Sequence, residues 1–342
     1  MTHDELFMQR ALELAQLGAG YVSPNPMVGC VIVHNNVIVG EGWHQKFGGP
    51  HAEVIAIQSV KNSSLLPECV AYVNLEPCSH TGKTPPCADL LIKNRIKRVV
   101  IGTQDPNPLV SGKGIKKLTE AGIDVSIDVL KEKALTLNKR FFTFITKQRP
   151  YIILKWAQTS DGFVAKEDYD SKWISNEYSR KLVHKWRTEE DAVLVGARTT
   201  AMDNPRLSVR DWSGRNPVRI VIDDQLSLDG TLHVFDNSQT TLIYNQKLKE
   251  IKGSNHFIKL DKEGKLTRLI HDLFLRGIQS VIVEGGSKTL NEFIQENLWD
   301  EMRVFTAAKT IGKGIVAPTP SGKLETTQGL AGDRLQVFVN QF

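Results

Sequence analysis

Glu76-Pro77-Cys78-Ser79-His80-Thr81-Gly82-Lys83-Thr84-Pro85-Pro86-Cys87, residues 76–87, carries two cysteines, each preceded by proline, with eight residues between them. Upstream stands His51-Ala52-Glu53. One imidazole and two thiolates, from His51, Cys78 and Cys87, make three ligands for tetrahedral zinc and leave the fourth position open to water. Zinc lowers the pKa of such a water toward neutrality. The chemistry then needs a carboxylate that shuttles a proton without binding metal, and Glu53 lies two residues from the histidine. Pro85-Pro86 suits a first helical turn, and both cysteines are expected at or near helix starts, where the backbone dipole favours the thiolate. The competing reading makes Cys78 a core thiol and His51 an ordinary helix start. His80 is a further candidate ligand, but a fourth protein ligand would close the site, so a substrate or outer contact suits it better. Cys30 and Cys69 sit in apolar runs and read as core residues.

Outward from this loop, strand and helix patterns alternate. A strand is expected over residues 69–75 and a helix from residue 86. Upstream come an amphipathic helix over 4–17, strands over 27–34 and 37–43 turning at Asn35-Asn36 as a hairpin, and a helix from His51. Downstream, a strand over 98–102 leads through a Pro- and Gly-rich stretch into a helix ending near Ala121-Gly122. Residues 131–147 read as one helix, stopped at Gln148-Arg149-Pro150 because the residue before proline disfavours helical geometry. A second alternation follows, with strands over 151–155, 192–196, 218–223, 240–244, 280–284 and 301–306. Its helices are expected over 176–187, 266–275 and 289–297. Strands separated by helices imply largely parallel sheets, and the chain divides into domains at residues 1–149 and 150–342.

The second half has no G-x-G-x-x-G after its first strand. It offers a buried strand, a glycine pair and a helix start in Ser280-Val281-Ile282-Val283-Glu284-Gly285-Gly286-Ser287-Lys288-Thr289. Such a helix start attracts phosphate, although an ordinary strand-to-helix turn reads the same way. Residues 155–162 and a polar loop over 203–210 also follow strands, where ligands of α/β domains gather.

Composition agrees with two soluble domains: 342 residues, 41% hydrophobic and 24% charged. There is no run of about 18 apolar residues, and Asp4, Glu5 and Glu13 make the first turns unlike a targeting peptide. A cytoplasmic enzyme with no membrane association is expected. The net charge of +5 is shared between the halves without a basic block. That argues against a nucleic-acid partner, which would need a basic groove and stacking aromatics. A structural zinc protein without turnover would need four protein ligands.

His-x-Glu followed by Pro-Cys and a second cysteine matches the zinc deaminase pattern, apart from the longer spacing in place of Cys-x-x-Cys. The loop 77–87, together with Ser23-Pro24-Asn25-Pro26-Met27-Val28-Gly29 and Gly48-Gly49-Pro50-His51-Ala52-Glu53, resembles the bifunctional deaminase–reductases of riboflavin biosynthesis. Lys155-Trp156-Ala157-Gln158-Thr159-Ser160-Asp161-Gly162 and Asp203-Asn204-Pro205-Arg206-Leu207-Ser208-Val209-Arg210 resemble the reductase half of that family. Thr159-Ser160 stands where the family commonly has serine and leucine.

The resemblance implies an α/β fold, with an N-terminal cytidine-deaminase-like three-layer α/β/α domain and a C-terminal dihydrofolate-reductase-like α/β domain. It implies Zn2+ on His51, Cys78 and Cys87, with Glu53 as the proton shuttle. Asn25, His80 and Lys83 would contact a phosphorylated ribosylaminopyrimidine, although Asn25 reads equally as a turn residue. NADPH would meet Ala157, Trp173, Thr199, Asp203 and the run Gly286, Ser287, Lys288, Thr289, Leu290, Asn291 and Glu292. The substrate of reduction would meet Ser171, Arg187, Leu207, Arg210 and Glu284, with Arg187 and Arg210 able to grip a 5-phosphate. No residue of the second half stands out as a general acid, and homo-oligomer formation is left open.

Overall fold

Alternation of apolar side chains in the first half builds a sheet that is covered on both faces. The computed structural model describes residues 1–341 except 80–84, 109 and 172–173, so His80, Lys83 and Trp173 lie outside the described residues. The chain divides into two compact units, Met1–Gln148 and Arg149–Phe342.

In the first unit, strands β1 (Gly29–His34), β2 (Val37–Trp43), β3 (Val70–Val73), β4 (Arg98–Ile101) and β5 (Asp124–Ser126) lie in the order β2-β1-β3-β4-β5. β1 runs antiparallel to β2 and β3, and β3, β4 and β5 are parallel. The hairpin turns at Asn35 and Asn36, with φ of 46° and 63°, a region that asparagine tolerates. The helices are α1 (His3–Gln16), α2 (Ala52–Ser59), α3 (Cys87–Lys93), α4 (Lys113–Glu120), α5 (Lys131–Leu137) and α6 (Lys139–Lys147).

Successive strand residues point to opposite faces. Cys30, Ile32, Ala71, Val73, Val99 and Ile101 pack on α2, α3 and α4, whereas Val31, Val33, Tyr72 and Val100 pack on α1 and α5. Three layers result. A capping box of Thr2 and Glu5 starts α1. The single helix expected over 131–147 is instead two helices, because Asn138 has φ −100° and ψ 20°. Its amide accepts from Met27 N at 2.8 Å and donates to Met27 O at 2.9 Å, holding the loop before β1.

The second unit contains strands β6 (Tyr151–Gln158), β7 (Phe163–Ala165), β8 (Ala192–Gly196), β9 (Val218–Ile222), β10 (Thr241–Asn245), β11 (Glu250–Lys252), β12 (Asn255–Lys259), β13 (Ser280–Gly285), β14 (Glu301–Thr306), β15 (Ile315–Val316), β16 (Lys323–Leu330) and β17 (Asp333–Val339). Among the described residues, ten of them form one sheet in the order β11-β12-β10-β9-β8-β13-β6-β14-β17-β16, and β7 pairs with β15. The run from β12 through β14 is parallel. Helices α7 (Glu177–Glu189), α8 (Ala197–Asp203), α9 (Lys265–Leu275) and α10 (Ser287–Gln295) complete the unit.

Ile152, Leu154, Leu194, Val281 and Val283 face α9 and α10, and Tyr151, Ile153, Val193, Val195 and Ile282 face α7. Continuous apolar strands are what a parallel sheet buried on both sides requires. The polar stretch after β8 contains the short helix α8, which had not been expected there. β16, an edge strand exposed along nearly its whole length, carries no apolar alternation that could have announced it. Among the described residues, no helix is long and apolar enough to cross a membrane.

Candidate active sites

Three elements of the first unit bring His51, Cys78 and Cys87 together. His51 is the N-cap of α2, Cys87 is the first residue of α3, and Cys78 follows β3. His51 Nδ1 lies 3.6 Å from Cys78 Sγ and 3.3 Å from Cys87 Sγ, and the three ligand atoms fall within 4.8 Å of one another. The first amides of a helix have no partner within it. One of them, Cys87 N, donates to Cys78 Sγ at 3.3 Å. Hydrogen bonding from Cys87, outweighing burial and joined by His51, holds the Cys78 thiol well below the ordinary thiol range. Glu53, in the first turn of α2, is 3% exposed and stands outside the ligand triad. Burial, then the neighbouring Cys78 charge, pushes its carboxyl up. Soft sulfur donors with one imidazole, clustered this tightly beside a buried acid, fit zinc.

Neighbours that sequence reading passed over hold this cluster. Glu76 accepts four backbone N–H groups, from Asp105 (3.3 Å), Gly112 (3.0 Å), Gly114 (2.9 Å) and Ile115 (3.2 Å), so its carboxylate ties the loop before α4 to the ligand loop. A Cβ at Gly114 would stand 2.1 Å from Pro77 O, so only glycine permits that approach. His44 Nδ1 faces Pro50 O at 2.9 Å and must donate to it, which leaves Nε2 to accept from Asn25 Nδ2 at 3.0 Å. Asn25 is thereby held by a neutral imidazole whose pKa burial lowers. Cys30 and Cys69 are fully buried in the core, as expected.

In the second unit, expected site residues gather at the C-terminal ends of β6, β8 and β13. Thr199, on α8, lies against the glycine pair: a Cβ at Gly286 would be 2.7 Å from its Oγ1. The Gly285-Gly286 peptide is cis. Gly286 caps α10 without a side-chain bond. Ser287 Oγ donates to Val316 O at 2.9 Å, Lys288 is exposed beside Glu292, and the Leu290 side chain is turned into the core. Ser171 Oγ donates to Asp203, which joins a residue expected at the substrate to one expected at the cofactor. Ser160 Oγ donates to Ala308 O and Lys309 O, and Asp161 accepts from Ile311 N and Gly312 N. The departure at residues 159–160 therefore lies in a loop tied to residues 308–312.

Arg187 and Glu284 prove to be partners of each other. Nε and Nη2 of Arg187 reach the two Glu284 oxygens at 2.7 and 2.8 Å, and Nη1 reaches Ser208 O at 3.1 Å. Both side chains are about nine-tenths buried, at 10% and 8% exposure. Burial alone would raise the Glu284 carboxyl, but the Arg187 charge and hydrogen bonds hold it at about 2. Arg210, by contrast, is exposed. Leu207 has φ 52° and is buried with the α7-facing core, so its side chain is directed away from solvent. Lys155, read from the sequence only within the 155–162 stretch, was given no role of its own. Its pKa is lowered by burial against the opposing charge of Glu284, and Arg187 lowers it further. A lysine inside the apolar run Tyr151-Ile152-Ile153-Leu154-Lys155-Trp156 was the available signal.

Residues 1–103 match the model of the cytidine and deoxycytidylate deaminase zinc-binding region, and residues 150–336 match that of the RibD C-terminal domain. The riboflavin biosynthesis protein RibD of Aquifex aeolicus is 43% identical over 322 residues, covering 91% of this chain and 89% of the relative. The chain belongs to the RibD family. RibD of Bacillus amyloliquefaciens is 40% identical over 326 residues, covering 92% and 87% of the two chains. A solved structure from Thermotoga maritima, described as a diaminohydroxyphosphoribosylaminopyrimidine deaminase/5-amino-6-(5-phosphoribosylamino)uracil reductase, has a TM-score of 0.92 with 40% identity and 99% coverage of each chain. Acinetobacter baumannii RibD gives a TM-score of 0.89 at 34% identity, again over 99% of each chain. As a RibD-family member, the chain is a deaminase and a reductase of riboflavin biosynthesis, with zinc as the metal of the first unit and NADPH as the cofactor of the second.

Proposed function

We propose that the first unit deaminates 2,5-diamino-6-ribosylamino-4(3H)-pyrimidinone 5′-phosphate and that the second reduces the ribosyl group of the product to ribityl. The observation that carries the first step is a buried acid, Glu53, whose proton affinity burial and the Cys78 charge raise, set against a His-Cys-Cys triad without belonging to it. Zinc held by His51, Cys78 and Cys87 supplies the Lewis acidity that makes water nucleophilic near neutral pH. Glu53 takes the proton of the attacking water as the C–O bond forms at the amino-bearing carbon. It returns that proton to the departing nitrogen, and ammonia leaves. Asn25, held by His44, orients the pyrimidine ring through the amide groups that His44 does not use. His80 and Lys83 remain part of this reading for the ribose phosphate.

For reduction, NADPH held in the second unit would supply the hydride that C1 of the opened ribose requires. The glycine pair with Thr199, and the uncapped start of α10 with Ser287, Lys288, Thr289, Asn291 and Glu292, form the cofactor's cradle together with Ala157 and Asp203, and Trp173 remains part of this reading. Lys155 gives the balancing proton, since burial makes its ammonium a stronger acid than an ordinary lysine. Arg210 grips the 5-phosphate. Arg187, already engaged by Glu284, holds the backbone of the Arg210 loop at Ser208 O, and Ser171 and Leu207 remain part of this reading for the substrate. The enzyme works in the cytoplasm on this small anion, without nucleic acid or membrane, and self-association is compatible with the reading.

The test follows the two steps. Zinc-loaded protein with the pyrimidine substrate releases ammonia, and NADPH added afterwards is consumed. Glu53→Gln keeps its zinc and still reduces deaminated substrate, but its ammonia release falls by a factor of at least about 100. Normal deamination by that variant would exclude Glu53 as the shuttle.

A further inference from the structure

The loop that carries Arg210 is pinned at three consecutive residues by side chains from outside it. Ser208 O accepts from Arg187, Val209 N donates to Asn216 Oδ1 at 2.8 Å, and Arg210 N donates to His184 Nδ1 at 3.2 Å. Leu207, just before, is held at φ 52°, a conformation that a leucine keeps only when its surroundings over-determine it. The Arg210 contact fixes the histidine's chemistry. A backbone amide can only donate, so Nδ1 accepts, and the ring proton sits on Nε2, which faces Asp211 Oδ2 at 3.5 Å. His184 is 5% exposed and lies three residues before Arg187 on the same face of α7.

From this geometry we infer that His184 is a positioning residue for reduction: its Nδ1 fixes the backbone of Arg210 so that the exposed guanidinium meets the substrate's phosphate. The inference rests on the reading of Arg210 as the phosphate grip. Burial, then the charge of Arg187, lowers the His184 pKa to about 4, with Arg210 adding to this and Asp211 and Glu284 opposing it. The ring is therefore neutral, and Nδ1 stays an acceptor, through the working range of pH.

Asparagine places an acceptor oxygen near the position of histidine Nδ1, whereas the oxygen of glutamine falls near that of Nε2. Four variants of the full chain test the inference: His184→Ala, His184→Gln, His184→Asn and Arg210→Ala. KM for the deaminated phosphorylated substrate, kcat and Kd for NADPH are measured for each. The expected result is a KM raised about tenfold in H184A and H184Q, the factor carried by loss of one buried hydrogen bond. In both, kcat and the NADPH Kd stay within about twofold of the parent protein, while H184N restores KM to within about threefold. An unchanged KM in H184A, or H184N no better than H184Q, overturns the inference. Should H184A fail to bind NADPH, the comparison of H184N with H184Q decides alone. A raised KM in R210A with an unchanged one in H184A sinks only the role of His184. An unchanged KM in R210A sinks the reading of Arg210, and the role of His184 with it.

Discussion

Replacing Glu284 by glutamine isolates the charge of the buried Arg187–Glu284 pair while keeping its shape. Glutamine is the isostere of the protonated acid, so the expected loss at neutral pH is the free energy by which folding favours the ionised form. The carboxyl falls from its ordinary 4.5 to about 2. At 1.36 kcal/mol per pK unit that corresponds to about 3 kcal/mol. Removing one partner of a buried ion pair costs about 3–5 kcal/mol, so the two routes agree. For a unit of this size the midpoint should drop by roughly 6–12 °C.

Urea unfolding followed by the fluorescence of buried Trp156, Trp186 and Trp299 reports on the second unit within the whole chain. The pH dependence supplies the stricter criterion. Because the folded carboxyl is depressed, its stabilisation is complete above about pH 4.5 and is lost as pH falls toward about 2. The parent protein should therefore lose its advantage over Glu284→Gln across that window, the gap closing from about 3 kcal/mol toward zero. A gap under about 1 kcal/mol at pH 7, or one that stays constant down to pH 3, would refute the reasoning.

Two further expectations rest on close contacts. Gly286→Ala puts a methyl group 2.7 Å from Thr199 Oγ1, so NADPH affinity measured by titration should fall about tenfold or more while ammonia release is unchanged. Glu76→Ala strips the acceptor from four backbone N–H groups, so the first unit should lose at least about 3 kcal/mol of stability. Bound zinc, measured by metal analysis after dialysis, should fall with it, whereas NADPH affinity should hold.

Much of this protein could be read locally. The His51-Ala52-Glu53 and Pro-Cys segments state their chemistry because ligand type and short-range spacing are properties of the chain itself. Strand and helix periods placed most of the elements, since burial on one or two faces repeats every two or 3.6 residues. Reading failed where one partner was distant. Asn138 breaks its helix to hold Met27, 111 residues away, and no periodicity records that pairing. Arg187 looked like a free phosphate grip because Glu284, its partner, lies 97 residues on.

Sequence alone, then, determined the two-unit α/β plan and the His-Cys-Cys donor set that folding brings together, and it singled out the residues proposed for the proton shuttle and the nucleotide. Tertiary structure alone decided which charges neutralise one another, which imidazole nitrogens accept, and that Lys155 is a strengthened acid. The physical reason is that ligand identity travels with the residue. Protonation and pairing instead depend on desolvation and Coulomb terms, which change over a few ångströms and are set by groups that only folding brings within reach.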